Sequence, residues 1–597
     1  MPRTPVRAAS RRAHAALAGV MLGLAAGAVA EEPAPPERDP AREVLPRRPG
    51  PSEPQRYVPP PPDPSQVPPP TAAAPREALP VPDRWRIMRA LGMQSSWIDP
   101  YNQNLLKGDL PVVRDWFVNV GVVSDTLFEF RALPTPVGPQ ASERPDSLDV
   151  FGRGKQSTFA QTVVLSLAAI KGDTTFKPPD YEVRLVPVLN FNRSEVEELR
   201  ALRIDPRQGR TRDDDHVGLQ EAFVDVHLRD VSVRYDFDSV RVGIQPFISD
   251  FRGFLFNDVP LGVRLFGTRD NNRWQYNLAW FRRLEKDTNS GLNDVGVAPR
   301  KDDVFVANAY RQDWPVLGFT SQALIAVNVN REGGDEFYDA NGFLVRPAVQ
   351  GDGRGHDYTV AYVGYSGDGH IGAWNLTATA YLALGRDDRH PISQSEQSIV
   401  AGFAAMELSR DFSWARVRLS ALLQSGDRDP FDDRATGFDA ILENPQFAGA
   451  DTSFWIRQGV PLVGGGGVAL SGRNGVLASL RSSRDQGQSN FVNPGLLLLG
   501  AGGDLDLAPQ LRVLGNVSYL RFVSTEVLGV LRNQAPPAKD IGVDLSAALQ
   551  WRPFMSQNLV LNASAAALVP GKGLKQLYDE NRPGVLYSVL VNLIATF

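Results

Sequence analysis

Most of the side chains that could do chemistry here are arginines at alternate positions of short apolar segments. A guanidinium binds a carboxylate or a phosphate through two parallel hydrogen bonds. The same polar rows contain fewer acids than arginines. These acids are Glu182, Asp225, Asp540 and Asp544. If these rows line a lumen, we expect them to favour anions; internal ion pairing that braces a wall is the alternative. The selected arginines are Arg184, Arg241, Arg264, Arg273, Arg416, Arg418, Arg512 and Arg552.

Catalytic and cofactor motifs are missing from the sequence. There are no cysteines, which excludes disulfides, thiolate metal sites and a Cys nucleophile. The four glycines at 464–467 lack the Gly-Lys-Ser/Thr of a phosphate loop, and the six histidines have no metal-ligand spacing. We therefore expect no cofactor, no metal and no catalytic residue. His227 beside Asp225 leaves a minor enzyme interpretation, and no basic stripe indicates nucleic acid.

The first 83 residues predict export followed by an unfolded segment. Arg3, Arg7, Arg11 and Arg12 precede an apolar stretch that ends in Ala-Val-Ala at 28–30, which is typical of a secretory signal peptide over 1–30. Residues 31–83 hold 19 of the 47 prolines and should form a disordered periplasmic linker. That linker could tether a periplasmic or cell-wall partner, or it could be a simple spacer. A short helical or irregular lead-in is expected over 84–112.

From residue 113 to residue 597 the residue pattern is uniform: apolar and polar residues alternate in short segments. In VLYSVLVNLIATF (585–597), apolar side chains share one face, while Ser588, Asn592 and Thr596 share the other. Alternation with Leu, Val, Ala and Trp on one face predicts strands that face lipid outside and a polar lumen inside. The predicted fold is all-β, a single transmembrane antiparallel barrel of about 18 strands, with 16 or 20 as alternatives.

Eighteen such segments can be marked, and the connections between them alternate between short and long. This alternation of short and long connections is typical of outer-membrane barrels, which have short periplasmic turns and long external loops. The segments are 115–131, 156–170, 181–193, 218–229, 238–247, 259–268, 273–284, 302–312, 317–330, 357–366, 371–384, 398–411, 414–424, 494–504, 509–521, 540–552, 557–568 and 584–597. Acidic runs such as 212–216 and 427–433 are assigned to loops.

The sequence resembles Gram-negative outer-membrane porins. Phe597, with apolar residues at alternate positions before it, matches the terminal signature that such barrels present to the assembly machinery. Eighteen strands after a signal peptide resemble the alginate-export and OprD-like porin groups. SVRVGIQPF (239–247), followed by RGFLFNDVPLGVRLFG (252–267), is similar to the R-x-G-x-Q strand of alginate-export-like barrels. The resemblance implies an outer-membrane location, with lipid, lipopolysaccharide and the barrel-assembly machinery as partners.

The connection 425–493 is too long for a turn and rich in apolar residues, so we expect it to fold into the lumen as a constriction or to cap the barrel. The expected function is a channel for small anionic solutes or an acidic oligo- or polysaccharide. The alternative is a structural or assembly barrel whose linker recruits a periplasmic export machine. Candidate constriction residues are Phe454, Trp455, Arg457, Arg473, Arg481 and Arg484.

Overall fold

The structure is a computed structural model of the full chain. It describes residues 92, 105–132, 154–172, 178–234, 236–347, 354–390, 392–449, 452, 485–554, 557–578 and 584–597. The predicted signal peptide (1–30), the proline-rich linker (31–83) and most of the predicted lead-in (84–112) lie outside the described residues. The six candidate constriction residues of the long connection also lie outside them.

Eighteen antiparallel strands close into one barrel, as predicted. Each strand pairs with its neighbours in sequence, and β1 pairs with β18 to close the wall, from Val123 opposite Thr596 to Arg131 opposite Ser588. The strands are β1 (Trp116–Ala132), β2 (Lys155–Lys171), β3 (Tyr181–Val196), β4 (Thr211–Asp230), β5 (Phe237–Ile244), β6 (Leu261–Arg269), β7 (Trp274–Arg282), β8 (Asp302–Arg311), β9 (Phe319–Arg331), β10 (Asp357–Ile371), β11 (Trp374–Asp387), β12 (Gln397–Phe412), β13 (Ala415–Gln424), β14 (Leu496–Ala508), β15 (Leu511–Phe522), β16 (Asp540–Trp551), β17 (Leu559–Pro570) and β18 (Leu586–Thr596).

Smaller elements lie in the connections. Residues Arg434–Ala435 add a short parallel pairing to β12, and Phe337–Tyr338 pairs with Leu344–Arg346. Helix α1 (Glu526–Arg532) follows β15, and helix α2 (Lys572–Tyr578) follows β17. Among the described residues, no helix is both long enough and apolar enough to cross a membrane.

The wall is apolar outside and polar inside. Leu278, Val417 and Leu419 are each more than half exposed on the outer face, whereas Thr379 and Ser588 on the inner face are buried. An apolar exterior of this extent is stable in lipid and not in water. Closure of the barrel also leaves no unpaired strand edge, so all backbone hydrogen bonds of the strands are satisfied within the wall, as a bilayer requires. The barrel therefore spans a membrane. Two-residue turns such as 413–414 mark its periplasmic end, and the long connections mark its external end.

One loop assignment is wrong. The acidic run 212–216 does not lie in a loop but forms the start of β4, paired with β3. Arg212 and Asp214 alternate with Asp213 and Asp215, which face outward. The strand continues beyond the lipid, where outward residues meet water, so the apolar alternation that marks strands stops before the strand does.

A short segment ahead of β1 completes the closure of the wall. Phe597 exchanges backbone hydrogen bonds with Val122, and β1 extends further towards the periplasmic end than its β18 partner. There Val120 N donates to Leu106 O at 2.6 Å, and Lys107 pairs with Asn119. Residues 105–109 thus cover the edge of β1 that β18 leaves open, which removes an unpaired strand edge.

Candidate functional site

The connection between β5 and β6 turns into the lumen, and Asp250 fixes its path. The Asp250 carboxylate accepts hydrogen bonds from the backbone N–H groups of Arg252, Phe254 and Leu255 at 2.9 to 3.1 Å. The hydroxyl of Tyr381, on β11, donates to the same carboxylate at 2.9 Å. A buried carboxylate with several donors is well satisfied, so it holds the loop against the opposite wall.

A second segment, from the long connection after β13, runs beside this loop. Asn257 N donates to Leu442 O at 2.8 Å, and Ile441 N donates to Leu255 O at 3.1 Å. Gln446 N donates to Arg252 O at 2.8 Å. We call residues 249–257 and 439–447 the constriction ribbon. Two connections from different parts of the barrel thus form one hydrogen-bonded unit.

Aromatic side chains hold the constriction ribbon against the inner wall. Phe254 packs on Phe403 of β12, with ring centroids 4.9 Å apart, and on Phe447, 5.3 Å away. Phe438 packs on Phe403 at 5.2 Å, and the Tyr362 hydroxyl donates to the carbonyl of Asp439. The described parts of the long connection therefore fold inward, which was one of the two predicted alternatives.

Arg252 is the cation that the constriction ribbon presents to the lumen. Its Nη2 donates to Thr377 Oγ1 at 2.7 Å and lies 3.3 Å from Glu407 Oε1. Its side chain is 28 % exposed. Arg418, on β13, approaches the same Glu407 carboxylate at 3.8 Å and donates to Asn516 at 2.7 Å. Arg418 was predicted from the alternation of its strand, whereas Arg252 was not, because it lies in a connection.

Three of the predicted lumen arginines gather on the wall formed by β3 to β6. Arg184 forms an ion pair with Glu182 at 2.7 Å, and Arg241 forms one with Asp225 at 2.8 Å. Arg264 lies directly opposite Arg241 in the strand pairing, with its guanidinium 4.4 Å from the ring centre of Phe266. Within the described part of the chain, no carboxylate lies within ion-pair distance of Arg264.

The remaining predicted arginines lie at the periplasmic end. Arg273 is in the turn before β7 and faces Asp270 at 3.8 Å. Arg416 pairs with Asp411, and Arg512 pairs with Asp506 at 2.6 Å. Arg552 donates to Gln550 at 2.6 Å, just after β16. These four side chains mark the periplasmic rim and not the middle of the lumen.

A buried ionic cluster, which the sequence analysis did not identify, anchors the far end of the long connection. Arg283 pairs with Asp302 at 2.9 Å, Arg300 with Glu332 at 2.7 Å and Arg346 with Glu285 at 2.5 Å. We call these six residues the loop clamp. Its guanidiniums also donate to three successive carbonyls, those of residues 485, 486 and 487. Three arginines from two connections, 283–301 and 332–356, thus hold one short stretch of backbone.

Burial and neighbouring charges shift the pKa values of the loop-clamp residues in opposite directions. Burial by itself would raise the pKa of Glu332, but the charge and hydrogen bonds of Arg300, with the charge of Arg346, lower that pKa to about 2. For Arg300, burial lowers the pKa, but the charge and hydrogen bonds of Glu332, with the charges of Asp302 and Glu285, raise it to a net value above the usual range. The pair is therefore fully ionised near neutral pH.

The two residues of the minor enzyme interpretation do not form a unit. His227 Nε2 lies 2.9 Å from Asp230 Oδ1, while Asp225 is bound to Arg241. Within the described residues, no group of three or more His, Asp or Glu side chains is arranged to hold a metal ion. The polar groups of the lumen form ion pairs and amide contacts instead.

Several solved porin-type chains have a similar fold. OccK7 (OpdD) of Pseudomonas aeruginosa is 9% identical, with 80% of this chain and 98% of that chain covered and a TM-score of 0.45. OccAB3 of Acinetobacter baumannii is 10% identical, covering 80% and 99%, with a TM-score of 0.43. A BenF-like porin from Pseudomonas fluorescens Pf-5 is 10% identical, covering 80% and 98%, with a TM-score of 0.41.

No family model matches the sequence, and no curated protein matches it. The identity to the solved chains is low, so the physical character of the barrel itself carries the assignment. Eighteen closed antiparallel strands, an apolar outer face and alternating short and long connections are the features of an outer-membrane barrel. The chain therefore has the architecture of an outer-membrane β-barrel, a closed wall of eighteen antiparallel strands with an apolar outer face.

Proposed function

We propose that the chain is a channel for small anionic solutes, with passage controlled at the constriction ribbon. The observation that supports an anionic solute is Arg264, whose guanidinium has no carboxylate partner among the described residues. Arg241 lies directly opposite, and both guanidiniums share the neighbourhood of Asp225. A solute carboxylate or phosphate would supply the partner that Arg264 lacks.

The expected preference for anions over cations is moderate, because most other charges in the lumen are paired with charges of opposite sign. Arg184 and Arg241 are neutralised by adjacent acids, and Arg252 and Arg418 share Glu407. Two unit charges 4 Å apart in water interact by about 1 kcal/mol, which corresponds to about a fivefold change in local ion concentration. We therefore expect a moderate anion preference that depends on Arg264.

Reversal potentials in planar bilayers test this function. With a KCl gradient, the wild-type channel should prefer chloride, and Arg264→Gln should reduce the anion-to-cation permeability ratio by up to about fivefold. Arg193→Gln is the matched control, because Arg193 faces outward and pairs with Asp213 at the external rim. Cation preference in the wild type would contradict the anionic solute, and an unchanged ratio in Arg264→Gln would contradict the role of that residue.

An acidic oligo- or polysaccharide remains an alternative cargo of the same lumen. The runner-up function is an assembly barrel whose linker over 31–83 recruits a periplasmic export machine. Its supporting observation is that residues 105–116 bring the chain to the periplasmic end of the barrel wall. Deleting 31–82 separates the two functions, because a self-sufficient channel keeps its conductance and an assembly barrel loses its partner in pull-downs.

We also propose that the chain is not an enzyme. The supporting observation is that His227 and Asp225 have separate partners, Asp230 and Arg241. His227→Gln should leave conductance unchanged. If that variant abolished a hydrolytic activity of the purified barrel towards lipid or peptide substrates, the proposal would be wrong.

A further inference from the structure

We propose, on the basis of the proposed channel function, that Glu407 is an internal counter-ion that sets the anion affinity of the constriction. Its carboxylate, on the inner face of β12, lies between two guanidiniums. Arg252 Nη2 of the constriction ribbon is 3.3 Å from Glu407 Oε1, and Arg418 Nε of β13 is 3.8 Å from Oε2. A solute carboxylate or phosphate seeks the same two partners, so Glu407 competes with the solute for them.

The surroundings of Glu407 form a set of donors that suits an anion. Glu407 Oε2 accepts hydrogen bonds from the hydroxyl of Ser420 at 3.0 Å and from the backbone N–H of Ala448 at 3.1 Å. These two donors and the two guanidiniums come from β13, the constriction ribbon and the long connection. Cations, hydroxyls and backbone N–H groups bind carboxylate and phosphate in the same way, so the chain itself provides the anion of this site.

The two guanidiniums are also held by neutral groups. Arg252 Nη2 donates to Thr377 Oγ1 at 2.7 Å, and Arg418 Nη2 donates to Asn516 Oδ1 at 2.7 Å. A glutamine in place of Glu407 can still accept hydrogen bonds through its amide oxygen. We therefore expect both arginines to keep their positions when only the charge of Glu407 is removed.

Glu407 is the central member of a row of charges that alternate in sign along the inner wall. Arg252 Nη2 lies 4.0 Å from Asp368 Oδ1 on β10, and Arg418 Nη1 lies 3.5 Å from Asp504 Oδ2 on β14. The side chain of Glu407 is 9% exposed, whereas that of Arg252 is 28% exposed. A passing solute therefore meets Arg252, while Glu407 neutralises this arginine from the buried side.

This neutralisation keeps anion binding weak enough for passage. A channel must attract its solute and must also release it, so a site that binds too tightly slows conduction. One unit charge about 4 Å away in water changes the local anion concentration by about fivefold. Glu407→Gln leaves Arg252 and Arg418 without the acid that they share, so we expect anions to bind more tightly and to leave more slowly.

Single-channel currents in planar bilayers test the proposal, with inorganic phosphate as the probe. In symmetric KCl, phosphate should block the current of Glu407→Gln at a concentration about fivefold lower than in the wild type. In a KCl gradient, the anion-to-cation permeability ratio should rise by up to about fivefold. Glu396→Gln is the matched control, because Glu396 lies in an external connection and forms an exposed pair with Arg386 at 3.5 Å.

A charge-compensated variant separates the electrostatic role from a structural one. Arg252→Gln alone should lower the permeability ratio, and combined with Glu407→Gln it should bring the ratio back towards the wild-type value. Equal phosphate block in the wild type and in Glu407→Gln, or a double variant further from the wild type than Glu407→Gln, would overturn the proposal. Cation preference in the wild type, with the expected shift in Glu407→Gln, would contradict the anionic solute but support the counter-ion role.

Discussion

Removing Arg300 from the loop clamp should release the far end of the long connection from the barrel wall. Arg300 binds the Glu332 carboxylate through two nitrogens, at 3.0 and 2.7 Å, and donates to the carbonyls of Asp485 and Gly487. It is fully buried. Arg300→Met keeps much of the side-chain volume but removes all four hydrogen bonds, so the buried Glu332 loses its main partner.

The cost can be bounded from these contacts. Breaking a buried ion pair by deleting one partner costs about 3 to 5 kcal/mol. Asn330 still donates to Glu332 at 2.7 Å and Arg346 stays 3.6 Å away, so the lower value of about 3 kcal/mol applies. That change corresponds to about a hundredfold shift towards the released loop. Combining Arg300→Met with Glu332→Gln should cost less than the sum of the two single changes.

The absence of cysteine provides the assay. Ser489→Cys introduces a single thiol at a buried position of the same stretch, where the native hydroxyl donates to Ala440 O at 2.8 Å. Its labelling rate should rise about a hundredfold in the Arg300→Met background, if release is what exposes it. Lys301→Met is the matched control, because Lys301 forms an exposed pair with Asp335 that contributes little.

The pH dependence of the same assay follows from Glu332, whose pKa of about 2 lies below its unfolded value of about 4.3. Its contribution is complete above the unfolded value and is lost as pH falls towards 2. Protection of the thiol, measured against an exposed cysteine at the same pH, should therefore stay constant from pH 8 to pH 5. Unchanged labelling in Arg300→Met, or loss of protection near pH 6, would refute the reasoning.

Two further predictions concern the barrel seam and its external rim. Lys107 donates to Val120 O at 2.7 Å and lies 4.0 Å from the ring centre of Phe597, so Lys107→Met should destabilise the barrel by about 1 kcal/mol in urea unfolding, and Lys107→Arg should not. Burial lowers the pKa of His356, but Asp387, 2.9 Å away, raises that pKa to a net value above the usual range. Its stabilising contribution is complete below about pH 6.5 and is lost as pH rises through the folded value, so the advantage of the wild type over His356→Gln in urea unfolding should shrink between pH 6 and pH 9.

The barrel wall could be predicted from sequence because lipid constrains every second residue. All eighteen predicted segments coincide with strands, and the closing strand β18 was the clearest of them. The strand ends were less predictable. At the start of β4, Asp213 and Asp215 face outward above the lipid, so the apolar signal disappears while the hydrogen bonding with β3 continues.

The constriction could be predicted only in part. The apolar content of the long connection indicated burial, and Phe438, Phe447 and Phe491 are indeed buried in the lumen. The partner loop carries a similar signal, since the connection 245–260 is rich in aromatic residues, among them Phe247, Phe254 and Phe256. The pairing of these two loops is a contact across the lumen, and local periodicity holds no information about it. The same applies to the loop clamp, whose arginines come from two connections and bind a third.

Arginine content by itself gives an incomplete picture of selectivity in this lumen. The alternating rows contain many arginines, but Arg184 and Arg241 lie beside Glu182 and Asp225, so their fields largely cancel at the distance of a passing ion. Under the proposed channel function, a solute senses the groups that lack a neutralising partner, and Arg264 is one of these among the predicted wall arginines. The selectivity of such a channel depends on which individual charges have no neutralising partner. Strand register decides which side chains become neighbours, so composition alone cannot predict this.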